Sequence, residues 1–252
     1  MRALALLVAA GLATAASAQA PAPRTGVDPR AAELLRQMSD ALRRAPAFTV
    51  HAEITYDEVL RSGRKLQFAA ALDAALRRPN GLAVDYRSDV GGKQLWYDGK
   101  TLTLLDLVAG VFTTEAAAPT LAATLETLEK EQGMSLPLAD LVADDPYARL
   151  TSGALSGFVV GPGDVNGTTC HHLAFVQDDL DWQIWIDAGE SPLPRKLVIV
   201  YTTLPGAPQY AATLSDWTFP KTLPAARFAP VLPKEAHRVG FVAARGATEE
   251  KP

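Results

Sequence analysis

The chain is poor in the residues that staple, anchor or charge other proteins. Its single cysteine, Cys170, cannot form an intramolecular disulfide and leaves no thiolate pair for a zinc knuckle or a redox motif. There is no excess of positive charge. The 24 Lys and Arg stand against 28 Asp and Glu, a net charge of -4, so the electrostatic footprint of phosphate binding is missing and nucleic acid is not an expected partner. No stretch after the N-terminus offers 18 uninterrupted apolar residues, so no transmembrane segment is predicted in the mature chain. The sequence also lacks G-x-S-x-G, H-E-x-x-H, C-x-x-C and G-x-x-x-x-G-K-S/T, which removes the motif-bearing hydrolases, zincins and P-loop enzymes. What remains is 252 residues, 48% of them hydrophobic: enough for one large or two small domains whose stability must rest on a core.

The N-terminus reads as a signal peptide. Residues 1–18 carry one basic residue, Arg2, then an apolar run, then Ala16-Ser17-Ala18, the small-x-small pattern of a signal peptidase site. Cleavage after Ala20 would put Pro21 next to the scissile bond, so cleavage after Ala18 is expected. The apolar stretch from Ala3 to Ala16 is 14 residues, short of the ~20 that span a bilayer. No cysteine lies near the cleavage site, so a soluble periplasmic protein is expected rather than a lipid-anchored one.

Residues 19–27 read as a flexible leader. Asp28-Pro29 then supplies an N-cap and a first-turn proline, and Leu34, Leu35, Met38, Ala41 and Leu42 recur at helical spacing, predicting a helix over about 29–45. The period then changes to two. Phe48, Val50, Ala52, Ile54 and Tyr56 alternate with polar neighbours, and after Ser62-Gly63 Leu66, Phe68, Ala70 and Leu72 alternate with Lys65, Gln67, Ala69 and Ala71. Strand signals continue over Leu82 to Arg87, Gln94 to Tyr97, and Leu102 to Leu104 beyond the Asp98-Gly99 turn. Leu121, Leu125 and Leu128 mark a helical insertion, with Gly133 placed as its C-cap and a second short helix near Leu138, Leu141 and Val142. Strands resume at Phe158–Val160, Cys170–Phe175, Trp182–Ile186, Leu197–Tyr201 and Tyr210–Trp217. The pattern predicts an α+β fold in which one antiparallel sheet carries its helices on one face, as a single domain over 28–245 with a disordered tail over 246–252.

Four local features carry possible chemistry. Gly161, Gly163 and Gly167 approximate a dinucleotide fingerprint, but the spacing is one residue too long and a strand follows, so they read as hairpin turns. Cys170-His171-His172 contains metal-ligand and nucleophile chemistry, yet on a strand only Cys170 and His172 share a face. The expectation there is a buried cysteine beside hydrogen-bonded histidines. Asp178, Asp179 and Asp181 lack the order of a calcium loop and read as a solvated turn. Finally, Trp182, Ile184 and Ile186 lie on one side of a strand and Trp185 on the other, so both faces are covered or one lines a cavity.

A longer set of segments carries a family likeness. Tyr97-Asp98-Gly99-Lys100, Pro137 to Leu141, Val165-Asn166-Gly167 leading to Cys170–Phe175, Asp181–Ile186, Pro192 to Lys196 and Pro208-Gln209-Tyr210 resemble, in order, the predicted periplasmic proteins grouped as domain of unknown function 2092. That family is similar in turn to the periplasmic lipoprotein-carrier (LolA/LolB-like) superfamily. The resemblance implies an incomplete β-barrel, a single strongly curved sheet with helices covering its concave face around a hydrophobic cavity. It brings no established catalytic residues, so none is carried over, and no cofactor or metal is expected. Strand alternation nominates Phe48, Val50, Ile54, Leu66, Phe68 and Trp182 as cavity lining, with Leu121, Leu125 and Leu128 from the covering helix.

The leading expectation is therefore a non-enzymatic periplasmic protein that binds or carries a lipid, an acylated protein or another hydrophobic ligand. A non-enzymatic envelope protein whose cavity is filled by its own side chains is the alternative. A hydrolase using a metal or Cys170 is the third.

Overall fold

The computed structural model describes residues 25–130 and 136–240. In chain order the elements are β1 (Gly26–Val27), α1 (Pro29–Arg44), β2 (Ala47–Val59), β3 (Lys65–Arg77), β4 (Gly81–Ser88), β5 (Gly91–Tyr97), β6 (Thr101–Asp106) and β7 (Val111–Ala116). Then follow α2 (Leu121–Lys130), α3 (Ala139–Val142), α4 (Pro146–Thr151), β8 (Ser156–Val165), β9 (Thr168–Val176), β10 (Asp181–Asp187), β11 (Pro194–Val200), β12 (Gln209–Thr218), a 3-10 turn (Ala225–Phe228) and β13 (His237–Arg238). Helix α1 starts as its sequence dictates: the Asp28 carboxylate accepts from Arg30 N at 2.7 Å and Ala31 N at 3.3 Å, with proline in the first turn.

All thirteen strands join one open, curved sheet in the order β1-β8-β9-β10-β11-β12-β2-β3-β4-β5-β6-β7-β13. Strands β2 to β7 form one meander and β8 to β12 another. The two are joined where β12 pairs antiparallel with β2, setting Ala212 opposite Ile54 and Leu214 opposite Ala52. The sheet is mixed rather than purely antiparallel, because β1 lies parallel to β8 and β13 parallel to β7. These two-residue strands cover part of each edge, and Gly161, Pro162 and a register shift interrupt the rest of β8.

The alternation in β2 decides which face is inside. Phe48, Val50, Ala52 and Ile54 sit opposite Leu76, Ala74, Leu72 and Ala70 of β3, and this face forms one core with Leu34, Leu35, Met38 and Leu42 of α1 and with Leu121, Leu125 and Leu128 of α2. The alanines in the middle of the sheet leave volume that the helices' leucines and Met38 occupy. Helix α4 is tied to α1 by Tyr147 N donating to Ser39 Oγ at 3.0 Å and by the Arg36 guanidinium 4.3 Å over the Tyr147 ring. Arg78 reaches from the β3–β4 turn to Ala143 O at 3.2 Å, holding the α3–α4 link against the sheet.

Several expectations are corrected by this arrangement. Gly26 and Val27, read as the end of a flexible leader, pair with β8. Gly161 and Gly163 are not hairpin turns but lie inside β8, opposite His172 and Cys170, and only Asn166-Gly167 makes the turn. Gly163 is required for packing rather than for a bend: a Cβ there would lie 2.9 Å from Trp185. Helix α4, β7 and the whole segment after Trp217 are elements that the periodicity did not nominate, because each is short. That last segment crosses the convex face, where Phe228 packs with Ala75, Ala83, Trp96 and Leu105 in a second, smaller core. The signal peptide, the Gly133 C-cap and the tail over 246–252 lie outside the described residues.

Two measurements test this packing. A Cβ at Gly157 would run into the Phe175 ring, so Gly157→Ala is expected to cost about 1–3 kcal/mol by overpacking, read as a lower urea midpoint. Pairing it with Phe175→Leu should recover part of that loss; strictly additive effects would show that the ring is not the obstruction. Phe228 is buried beneath the Arg77 guanidinium, 4.5 Å from the ring. Phe228→Ala is expected to cost about 3–5 kcal/mol and to open the chain beyond residue 218 to limited proteolysis, whereas an unchanged digest would leave the segment held by other contacts.

Candidate functional site

Six strands contribute to an aromatic row across the concave face, near the end where β2 turns into β3. Phe175, Trp182, Ile199, Tyr210, Tyr56 and Phe68 are consecutive cross-strand partners from β9 to β3. Phe175 stacks on Trp182 with ring centres 4.1 Å apart, and Tyr56 stacks on Phe68 at 5.7 Å. Tyr86 of β4 stands beside this row. Burial pushes the Tyr210 phenol well above its ordinary range, with Tyr86 and Tyr201 adding to the effect, and burial followed by the neighbouring Tyr56 raises Tyr86. The phenols of Tyr210, Tyr86 and Tyr56 thus converge on the concave face.

Over one half of this row the covering layer leaves space. A cavity of about 220 Å³ lies beneath α3 and α4, floored by Trp182, Leu197 and Ile199 and walled by Pro137, Leu150 and Leu180. Polar groups stand among its walls: the Arg149–Asp140 ion pair at 3.0 Å, Ser152, and Gln177, whose amide donates to Leu150 O at 3.3 Å. Trp182 is 3% exposed, and its indole N–H has no acceptor among the described residues. An unpaired donor at that depth costs free energy comparable to a lost hydrogen bond, which a ligand carbonyl or hydroxyl oxygen would return.

The residues nominated from sequence separate into two groups. Phe48, Val50, Ile54, Leu121, Leu125 and Leu128 are buried together in the core, packed against α1 or one another. Trp182 belongs to that core and also floors the cavity. Phe68 is half-buried in the aromatic row, and Leu66, two residues earlier, is 45% exposed near the hairpin tip. Leu197, Ile199 and the tyrosines were not nominated. Their alternation placed them on strands, but which strands neighbour Trp182 depends on pairing between distant segments.

Two larger hollows have different chemistry. One of about 710 Å³ lies on the convex face beneath the C-terminal segment, among His51, Asp73, Asp85, Trp96, Asp216 and Arg227. There His51 Nδ1 lies 2.8 Å from Asp73 and Nε2 3.1 Å from Glu53, and these bonds hold its pKa above the ordinary value. The other, of about 690 Å³, runs between α1 and the β10–β11 turn with a mainly polar lining.

The Cys170-His171-His172 segment makes no thiolate–imidazole pair. Cys170 is fully buried, its thiol donates to Thr168 O at 3.3 Å, and burial, reinforced by Asp187, pushes its pKa up. His172 stacks on Trp185 at 3.9 Å, shares a hydrogen bond with Gln183 at 2.9 Å, and is held below its ordinary pKa by burial. With Lys196 4.9 Å from the Trp185 ring, these side chains cover the convex side of β10. That accounts for a strand apolar on both faces. Among the described residues no group of three or more His, Cys, Asp or Glu is placed to hold a metal ion. Iodoacetamide is therefore expected to alkylate Cys170 in native protein at least about tenfold more slowly than in urea; equal rates would identify an accessible thiol.

The architecture is similar to that of several solved structures. Lipoprotein LppX of Mycobacterium tuberculosis is 15% identical, with 77% of this chain and 97% of that one covered and a TM-score of 0.47. An uncharacterized conserved protein from Thermus thermophilus is 10% identical, with 84% and 99% covered and a TM-score of 0.48. A LolA superfamily protein from Nitrosomonas europaea is 10% identical, with 79% and 97% covered and a TM-score of 0.34. No curated protein matches the sequence. No helix among the described residues is long and apolar enough to cross a membrane. The model of the predicted periplasmic protein family DUF2092 matches residues 31–242, which includes both meanders, the helices between them and the cavity, and the chain belongs to that family.

Proposed function

We propose that this is an exported periplasmic protein, with residues 1–18 as a signal peptide cleaved after Ala18, that binds or carries a hydrophobic ligand on the concave face of its sheet. The observation that carries the reading is the cavity beneath α3 and α4, with its apolar floor and the unpartnered Trp182 indole N–H. Such a site suits an alkyl chain bearing an oxygen acceptor, as in an ester, an amide or a fatty acid. At about 220 Å³ the cavity is smaller than a site for a whole multi-chain lipid, so the closed form takes one chain end. A longer chain would extend along the row toward Tyr210, Tyr56 and Phe68. Of the nominated lining, Trp182 and Phe68 contact ligand in this reading, while Phe48, Val50, Ile54, Leu121, Leu125 and Leu128 form its closed backing.

The same dense packing supports the second reading, a protein whose concave face is filled by its own side chains. Native mass spectrometry on protein exported to a bacterial periplasm and purified without detergent separates the two. A co-purifying lipid, or uptake of methyl laurate, is expected. An apo mass with no uptake would favour the filled form. Trp182→Phe keeps the apolar floor and removes the donor, so it should weaken methyl laurate binding by about three- to tenfold and leave the affinity for dodecane unchanged. Equal losses for both would assign Trp182 to packing alone.

A further inference from the structure

The exposed large aliphatic side chains are unevenly distributed between the two ends of the sheet. Strand directions place the β2–β3, β4–β5, β6–β7 and β11–β12 connections, and the link entering β8, at one rim. Leu60 and Leu66, Val90, Val108, Leu204 and Leu155 stand there, with exposures from 41% at Leu60 to 75% at Val108. The β3–β4, β5–β6, β8–β9 and β10–β11 turns at the opposite end carry no exposed large aliphatic residue among the described ones, and Phe219, 45% exposed after β12, is the large apolar side chain exposed there. Leu180 and Gln177 of the β9–β10 connection, which wall the cavity, lie at the same end, and the row from Trp182 to Phe68 lies just inside it.

From this asymmetry we infer that the rim docks on a lipid bilayer, with its aliphatic tips entering the acyl boundary and the Tyr56–Phe68 end of the concave row nearest the membrane. The inference deepens the proposed function and rests on it, since a bilayer is where a chain-bearing ligand is acquired or released. The occupant follows from the chemistry of the tips. The aliphatic residues sit on separate hairpins rather than in one continuous patch, an arrangement that suits a fluid apolar phase, whereas a protein partner would need a matched pocket for each. The β2–β3 tip, which joins the two 13-residue strands, adds Arg61 and Arg64 beside Leu60, against Glu58 and with Lys65 3.3 Å from Asp57, an excess of one positive charge that suits anionic headgroups. The carboxylates of the next two tips are turned to backbone: Asp89 accepts from Ala69 N of β3 at 2.7 Å, and Asp106 from Ala109 N of its own turn at 2.9 Å. Asp178 and Asp179 make the β9–β10 tip acidic, so contact falls on the β2 to β7 side of the mouth.

Flotation of the full mature chain with phosphatidylethanolamine–phosphatidylglycerol vesicles tests this. Wild type should float with the vesicles, and the variant combining Leu60→Ser, Val90→Ser and Val108→Ser should bind at least about tenfold more weakly. Val231→Ser, which removes an equally exposed aliphatic from the convex segment, should bind like wild type. Val108→Cys labelled with bimane, Cys170 being buried, should shift to the blue when vesicles are added. Failure of wild type to float, undiminished binding by the triple variant, or an unshifted probe would each overturn the inference, as would rim-dependent binding of a protein without vesicle binding. Uptake of methyl laurate from solution is measured in parallel. The triple variant should retain it, and its absence in wild type would count against the cavity instead.

Discussion

The pairing of β12 with β2 is the contact on which the rest of the molecule depends. It joins segments more than 150 residues apart, with Tyr210 opposite Tyr56 and Ala212 opposite Ile54, and makes one sheet of two meanders that would otherwise each have a free edge. Once that register is set, the apolar residues of β2 and β3 and those of β9 to β12 share a face. A one-residue slip would put Glu53 and Thr213 into the core in place of Ile54 and Ala212. The helices then have a single concave surface to cover.

The two faces solve different problems. The concave face is large and apolar, and α1, α2 and α3 supply the leucines that close it. The convex face is mostly polar, and its exceptions are covered locally: Trp96 and Leu105 lie beneath Phe228, and Trp185 is sandwiched between His172 and Lys196. Of the segment that looked most reactive, Cys170 and His172 are thereby engaged in packing, while His171 lines the polar hollow beside α1. Burial opposes both the Cys170 thiolate and the protonated His172, and the His172 ring is held against Trp185 and Gln183.

The concave face is closed near α1 and incompletely closed beneath α3 and α4. Strong packing around Phe48 and Leu35 leaves the open volume at the end where short helices replace a long one. These short elements are attached by a few polar contacts, such as Tyr147 N to Ser39 Oγ and Arg78 to Ala143 O.

The strands were legible in the sequence wherever the alternation ran longer than four residues, as in Phe48 to Tyr56, Leu66 to Leu72 and Trp182 to Ile186, and so was α1, whose cap and apolar spacing are both local signals. Short elements such as β1, β7, α4 and β13 were not, because two to six residues carry too little periodicity. The candidate site was legible in part: Trp182 and Phe68 stood out as apolar positions on strands, but the pairing that aligns them with Ile199 and Tyr210 is written in no single segment. The sequence by itself determined the compartment expectation, the turns and which residues of each strand share a face, since all of these depend on neighbours a few positions away. Only the tertiary structure decided which nominated residues became packed core, which indole lost its hydrogen-bond partner, and that the exposed aliphatic tips gather at one rim. Those outcomes arise from contacts between distant segments, where the volume of one side chain decides how much space is left for another.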